Sequence, residues 1–275
     1  SCNLNMKIHH QICLTVYILT LLLNSSGIDS ELIINVKNQG GDILQETISA
    51  NVTEDVNTLE FLTSDGTLIT HLVDFKNDLQ VFRSLILGEE ERGQSQYQVV
   101  CFVTRFQRSE FISSDAISKL RQKNPGTIRI PEEDKGTEVF SMDVLLDLNK
   151  SSALSPHVKL MCLEAKNTTY ARESDLKYWE SLKSTSDMTV NSSGLFSSLL
   201  DFLKVPRCME RAELNGACIC PFEISVPWYP CALKYCRGKD SEGKLVSYRC
   251  GIKTCRKTRH FDYYVQEKQQ CLWDE

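Results

Sequence analysis

Ten cysteines lie from Cys101 to Cys271, and three histidines, His71, His157 and His260, stand far apart in the chain. A cysteine can serve as a nucleophile, a metal ligand or half of a disulfide. The nucleophile needs its thiolate held by a neighbouring base or cation, and no histidine sits at a motif spacing from a cysteine. There is no H-E-x-x-H, G-x-S-x-G, phosphate-binding loop or dinucleotide fingerprint. The expectation is therefore a non-catalytic protein without a cofactor. Metal binding needs short cysteine pairs. Cys231 to Cys236 and Cys250 to Cys255 loosely fit a four-thiolate site. However, four further cysteines crowd the same segment, and an even total suits complete oxidation. Cys101 and Cys162 stand alone in the first part, so the simplest arithmetic pairs them. Cys208, Cys218, Cys220, Cys231, Cys236, Cys250, Cys255 and Cys271 then close among themselves. Eight cysteines allow 105 pairings, which spacing does not choose among.

Oxidation requires the right compartment. Lys7, His9 and His10 precede an apolar run from Ile12 to Leu23, followed by Ser25, Ser26 and Gly27. The run is too short to span a bilayer and fits a secretory leader. Residues 1–27 are thus expected to be a signal peptide, and the mature chain to be secreted, extracellular and without a membrane span. Glycosylation triplets at Asn51, Asn149, Asn167 and Asn191 fit that route. A fifth, at Asn24, leaves with the leader.

Charge divides the rest. Residues 28–205 carry 27 acidic and 18 basic side chains, a net of -9, and residues 206–275 carry 9 acidic and 12 basic, a net of +3. Neither is basic enough for nucleic acid to be the partner. Lys244 to Arg259 nevertheless holds six basic residues and no acid. Lys253, Arg256, Lys257 and Arg259 are candidates for binding an acidic glycan or receptor. Glu89 to Glu91 reads as a solvated turn. Asp74 differs, lying between Val73 and Phe75 in an apolar strand. Burial there would raise its pKa, which makes it a candidate pH-sensing carboxylate.

These residues need elements to position them. Glu31 to Lys37 and Ile43 to Ser49 flank Gly40-Gly41, and Leu59 to Leu62 and Leu68 to Phe75 flank Ser64-Asp65-Gly66, giving two hairpins. Asp78 to Leu87 supports either periodicity and is assigned as strand from its neighbours. Tyr97 to Phe106 is a further strand. Ser114 to Lys123 reads as a helix stopped before Asn124-Pro125. Gly126 to Gly136 reads as a loop, and Glu138 to Leu148 as a strand. A helix starts at Ser155-Pro156, with Val158, Met161, Cys162 and Ala165 inward. Another spans Glu173 to Leu182. Residues 184–205, rich in Ser and Thr at first, read as a linker, with one or two amphipathic turns at Leu195 to Leu203. The final segment, 206–275, offers few apolar positions and would rely on disulfides.

Six stretches carry a resemblance: GQSQYQ (Gly93 to Gln98), CFVT (Cys101 to Thr104), KLRQKNP (Lys119 to Pro125), WYPCALKYC (Trp228 to Cys236), CGIKTC (Cys250 to Cys255) and CLWDE (Cys271 to Glu275). Together they resemble the animal Out at first proteins, a secreted family, over nearly the whole mature chain. Within an expected first domain, residues 28–183, roughly residues 60–170 also resemble a BRICHOS domain, through Asp74 after a strand, Cys101 with Phe102-Val103, the helix around Ile117-Leu120, and Cys162 with Tyr170 downstream. That resemblance implies an α+β fold: an antiparallel sheet with two packed helices and a Cys101–Cys162 disulfide, followed by a small disulfide-rich C-terminal module. It also implies chaperone-like binding of extended, β-prone polypeptide on a sheet face or edge. BRICHOS proteins carry a β-prone client segment after the domain, and here the cysteine-rich segment occupies that place. Two functions follow as expectations. One is a non-catalytic interaction protein with an extended polypeptide client. The other is an extracellular signalling ligand or modulator that engages a receptor or acidic glycan through residues 206–275.

Overall fold

The computed structural model describes residues 30–88, 97–184, 196–198 and 205–271. The expected leader, the Asn191 triplet, Glu89 to Glu91, most of the 184–205 stretch and the last four residues lie outside them. The described chain is sheet-rich with a disulfide-rich C-terminal region.

Six strands form an antiparallel meander: β1 (Ser30–Lys37), β2 (Ile43–Asn51), β3 (Val56–Leu62), β4 (Leu68–Asp74), β5 (Leu79–Ile86) and β6 (Gln98–Arg105). The Asp-Gly turn between β3 and β4 places Gly66 at φ +85°, a left-handed position that a side chain disfavours. Asp65 ties the turn by accepting from the Thr67 hydroxyl at 3.0 Å. Asp78 to Leu87, ambiguous in period, is strand β5, since β4 and β6 flank it and supply its hydrogen bonds.

Helix α1 (Ser114–Ser118) is shorter than expected. Its cap is Ser113, whose hydroxyl accepts from the Ala116 N–H. The carbonyls that would extend it are taken: Ser118 Oγ donates to Asp115 O, and Arg121 donates to the Ser118 and Leu120 carbonyls. The expected loop at 126–136 is partly strand. β7 (Ile128–Arg129) pairs parallel with β1, and β8 (Glu133–Met142) begins inside it. β8 then leaves the main sheet. The expected strand from Glu138 to Leu148 is therefore two strands in different sheets, β8 and β9 (Val144–Leu146), parted at Asp143.

Helix α2 (Pro156–Met161), β10 (Thr169–Ala171) and α3 (Glu173–Ser184) follow. Ser155 caps α2, and Asp143 accepts from the Glu173 N–H at the start of α3, where the helix dipole favours a carboxylate. Phe196–Ser198, inside the expected linker, is strand β11 at one edge of the sheet. The main sheet has ten strands, ordered β11-β9-β10-β6-β5-β4-β3-β2-β1-β7.

The last segment departs most from expectation. It forms two long strands, β12 (Cys218–Lys239) and β13 (Leu245–Val265), paired antiparallel. β13 also pairs parallel with β8, giving a three-stranded sheet, β12-β13-β8, built from both parts of the chain. Far from having few apolar positions to bury, it buries Phe222, Ile224, Val226, Trp228, Phe261, Tyr263 and Val265. These alternate with polar residues, so one face of the hairpin is apolar. That face joins Ile34, Ile48, Phe61, Phe82 and Phe102 of the main sheet in one core. Phe261 is its hub, with ring centroids 4.3 Å from Phe102, 5.2 Å from Phe140 and 5.5 Å from Phe82. The opposite face of β4–β6, β9 and β10 is covered by α2, α3 and their turns through Leu79, Val81, Val103, Val158, Leu176 and Trp179. The aromatic centre of the sheet is thus closed on both faces.

Candidate functional site

The ten cysteines among the described residues are paired. Cys101 joins Cys162, tying β6 to the end of α2, and Cys208 joins Cys218. Cys220 joins Cys271, Cys231 joins Cys255, and Cys236 joins Cys250. The two short C-x4-C pairs are therefore bridged to each other across the hairpin, as cross-strand disulfides. Among the described residues no three His, Cys, Asp or Glu gather as a metal site.

Asp74 ends β4 and is buried. Its carboxylate accepts from Ser155 Oγ at 2.6 Å, Asn77 Nδ2 at 2.7 Å and the Asn77 N–H at 3.0 Å. It locks the cap of α2 to the sheet. Asn149 and Asn167 are exposed, and Asn51 is half-buried with its amide oxygen accepting from the Glu54 N–H.

Each of the four basic candidates meets a carboxylate of this chain. Lys253 pairs with Glu133 at 2.5 Å, Arg256 with Asp134 at 2.6 Å, and Lys257 with Glu138 at 2.7 Å and Glu110 at 2.9 Å. Arg259 is 2% exposed, 4.8 Å over the Phe82 ring and 3.8 Å from Glu110. The physical reason is register. β13 pairs with acidic β8, so Arg256 faces Asp134 and Arg259 faces Glu138. Lys257 and Arg259 also share the parity of Phe261 and Tyr263, which points inward. Here the charge difference between the two parts of the chain is used within the chain.

The core also buries two titratable side chains, His71 and Glu46. His71, buried, stacks on Phe82 at 4.1 Å and meets Gln80 Oε1 at 3.0 Å. Burial, and then the charge of Arg259, hold its pKa well below the ordinary histidine value. Glu46, fully buried on β2, has its pKa raised well above the carboxylate range by burial, partly offset by the backbone of Trp228. Neither of its oxygens completes a hydrogen bond among the described residues.

Before the start of β8 at Glu133, which pairs with Cys255, the hairpin runs unaccompanied towards its tip. Lys239 pairs with Leu245 at its tip, where Asp240 Oδ1 accepts from the Glu242 and Lys244 N–H groups and Gly243 takes φ +81°. Residues 241–250 are all exposed. Tyr235, Leu245 and Tyr248 are 61%, 70% and 52% exposed, which marks a projecting arm rather than a packed edge. The Cys236–Cys250 disulfide staples it. Sequence reasoning missed this arm. The available signal was the run of charge and exposed aromatics between two cross-strand cysteines.

These features define a class: a sheet-rich, disulfide-stapled protein in which an N-terminal sheet carries a C-terminal hairpin. Comparison with known proteins gives the family. The family model "Out at first" matches residues 30–179 and "Out at first, C-terminal" matches residues 207–275, so the chain belongs to the Out at first family. It is 51% identical over 264 residues to the Out at first protein of Drosophila virilis, covering 93% of this chain and 86% of that one. It is 49% identical over 278 residues to the Out at first protein of Drosophila melanogaster, covering 97% of this chain and 56% of the relative, a little over half its length. No solved structure matches. Among the described residues no helix is long and apolar enough to cross a membrane.

Proposed function

We propose that this is a secreted, non-catalytic interaction protein whose BRICHOS-like N-terminal domain holds a hairpin of its own chain and presents the hairpin tip to an extracellular partner. In the BRICHOS arrangement a β-prone segment after the domain is the client. Here the segment in that place is β12–β13, and its apolar side lies on the main sheet. With both faces over the aromatic core closed, strand edges are the places left for an extended polypeptide to add by backbone pairing, and those of the arm project from the body. The observation that carries this reading is the arm itself, two strands past the last partner of β13 and stapled by Cys236–Cys250.

The test adds the oxidised full chain at substoichiometric ratio to an amyloid-forming peptide. A second protein has residues 238–246 replaced by a two-residue Asn-Gly turn, with Cys236 and Cys250 kept. The full chain is expected to lengthen the lag and the shortened one to lose the effect at unchanged melting temperature. An unchanged lag with the full chain removes the polypeptide client and leaves the second reading, a ligand or modulator that engages a receptor. That reading is favoured by the exposed aromatic residues of the arm.

A further inference from the structure

The basic residues of the hairpin fall into two groups. Those at its base each meet a carboxylate of this chain: Lys234 with Glu132, Arg259 with Glu110, and Lys253, Arg256 and Lys257 with the acids of β8. Those on the arm do not. Arg237, Lys239, Lys244 and Arg249 are exposed, and none has an ion-pair partner among the described residues. The arm carries two acids, Asp240 and Glu242, and Asp240 is engaged in the turn.

Register places the cations together. Tyr235 pairs with Arg249, Arg237 with Ser247 and Lys239 with Leu245. Directly paired residues, and residues two apart, share a face of a ribbon. Tyr235, Arg237, Lys239 and Arg249 therefore line one flat side. Arg237 and Lys239 lie about 7 Å apart along it, and the partner strand lies about 5 Å across. On the other side Tyr248 lies over Gly238, where a Cβ would come within 3.0 Å of its ring. A side chain at Gly238 would have to displace that ring.

We propose that this cationic face binds a sulfated polysaccharide. A row of guanidinium and ammonium groups two residues apart meets a linear polymer with anions at regular intervals, and guanidinium takes sulfate oxygens through paired N–H donors. The exposed Tyr235 ring supplies an apolar surface for the C–H face of a sugar. An acidic peptide adding as a strand would use the ribbon's edges, whereas these cations stand on its face. The proposal does not depend on whether those edges take a polypeptide.

The test uses the oxidised full chain on immobilised heparin, eluted by salt. The wild type is compared with the triple variant Arg237→Ser, Lys239→Ser, Arg249→Ser. A control, Lys76→Ser, Lys123→Ser, Lys166→Ser, removes the same charge from exposed sites elsewhere. The arm variant is expected to bind about tenfold more weakly, as three exposed ion pairs imply, while the control and the melting temperature hold. Desulfated heparin and poly-glutamate are expected not to compete. Equal elution of wild type and arm variant overturns the proposal. An equal loss in the control shows attraction by net charge only, and effective competition by poly-glutamate removes the sulfate preference. Either outcome also overturns it.

Discussion

Replacing Glu46 by Gln is expected to stabilise the protein at neutral pH. The side chain lies on β2 between Ile34 of β1 and Phe61 of β3, fully buried. Its position follows from parity, since Ile48 and Ala50 on the same strand face are core residues. Because burial raises its pKa, the folded chain keeps the proton where the unfolded chain releases it. Above the ordinary value of 4.5, stability then falls with pH, by about 1.4 kcal/mol per unit. The fall continues until the folded-state group itself ionises. Glutamine has nearly the same shape and no charge to lose. Over the 2.5 units from 4.5 to 7 the variant's advantage grows to a ceiling of about 3 kcal/mol. At pH 4 both side chains are neutral, and the two proteins should agree within about 1 kcal/mol. His71 has the opposite sign: its pKa is lowered, so stability falls as pH drops below 6.5. It is present in both proteins and cancels in the difference. Urea unfolding at pH 4, 5.5 and 7 reads the effect directly. A difference that stays flat across that range would refute the buried, protonated carboxyl.

Four further outcomes follow from the same structure. Phe261→Ala removes the ring shared by Phe82, Phe102 and Phe140 and should cost about 3–5 kcal/mol in chemical denaturation. Asp74→Ala strips Ser155 and Asn77 of their acceptor and should cost about 1–3 kcal/mol, whereas Asp74→Asn, which keeps one acceptor, should cost less by the same assay. For the ion pairs of β8 and β13, a double-mutant cycle on Glu138→Gln and Lys257→Gln should give a coupling of about 1 kcal/mol or more, above that of an exposed pair, because Lys257 is only 11% exposed. Removal of the Cys236–Cys250 disulfide alone, by Cys236→Ser with Cys250→Ser, should leave the melting temperature nearly unchanged, since the arm lies outside the core. Differential scanning calorimetry reads that difference.

Much of the first part was legible because its signals are local. The Asp65-Gly66 turn, the Ser155-Pro156 helix start and the alternation of β1 to β4 need only neighbouring residues. β5 was ambiguous because Leu79, Phe82 and Ile86 also fit a helix, and its partners on both sides decided it. The hairpin was hidden for a different reason. Its cysteines and charges dominated the reading, although Phe222, Ile224 and Val226 alternate, as do Phe261, Tyr263 and Val265. Extending that parity backwards reaches Arg259 and Lys257, which marks both as inward. The acids at 132–134 read as a loop because the partner strand lies far off in sequence, Asp134 meeting Arg256 across 122 residues. Glu46 and His71 attracted no functional reading, yet each sits at the parity of core residues on its strand. Pairings and docking across such separations are set by burial and register between segments, which local pattern does not carry.

The central claim is that the hairpin base and the main sheet are one cooperative body from which the arm projects. Amide hydrogen exchange on the oxidised full chain tests it most directly. Phe222 to Val226 and His260 to Val265 are expected to exchange as slowly as β3 to β5, and in the same unfolding event, while residues 237–248 exchange much faster. Exchange of the hairpin base in a separate, faster event, with β3 to β5 still protected, would contradict it.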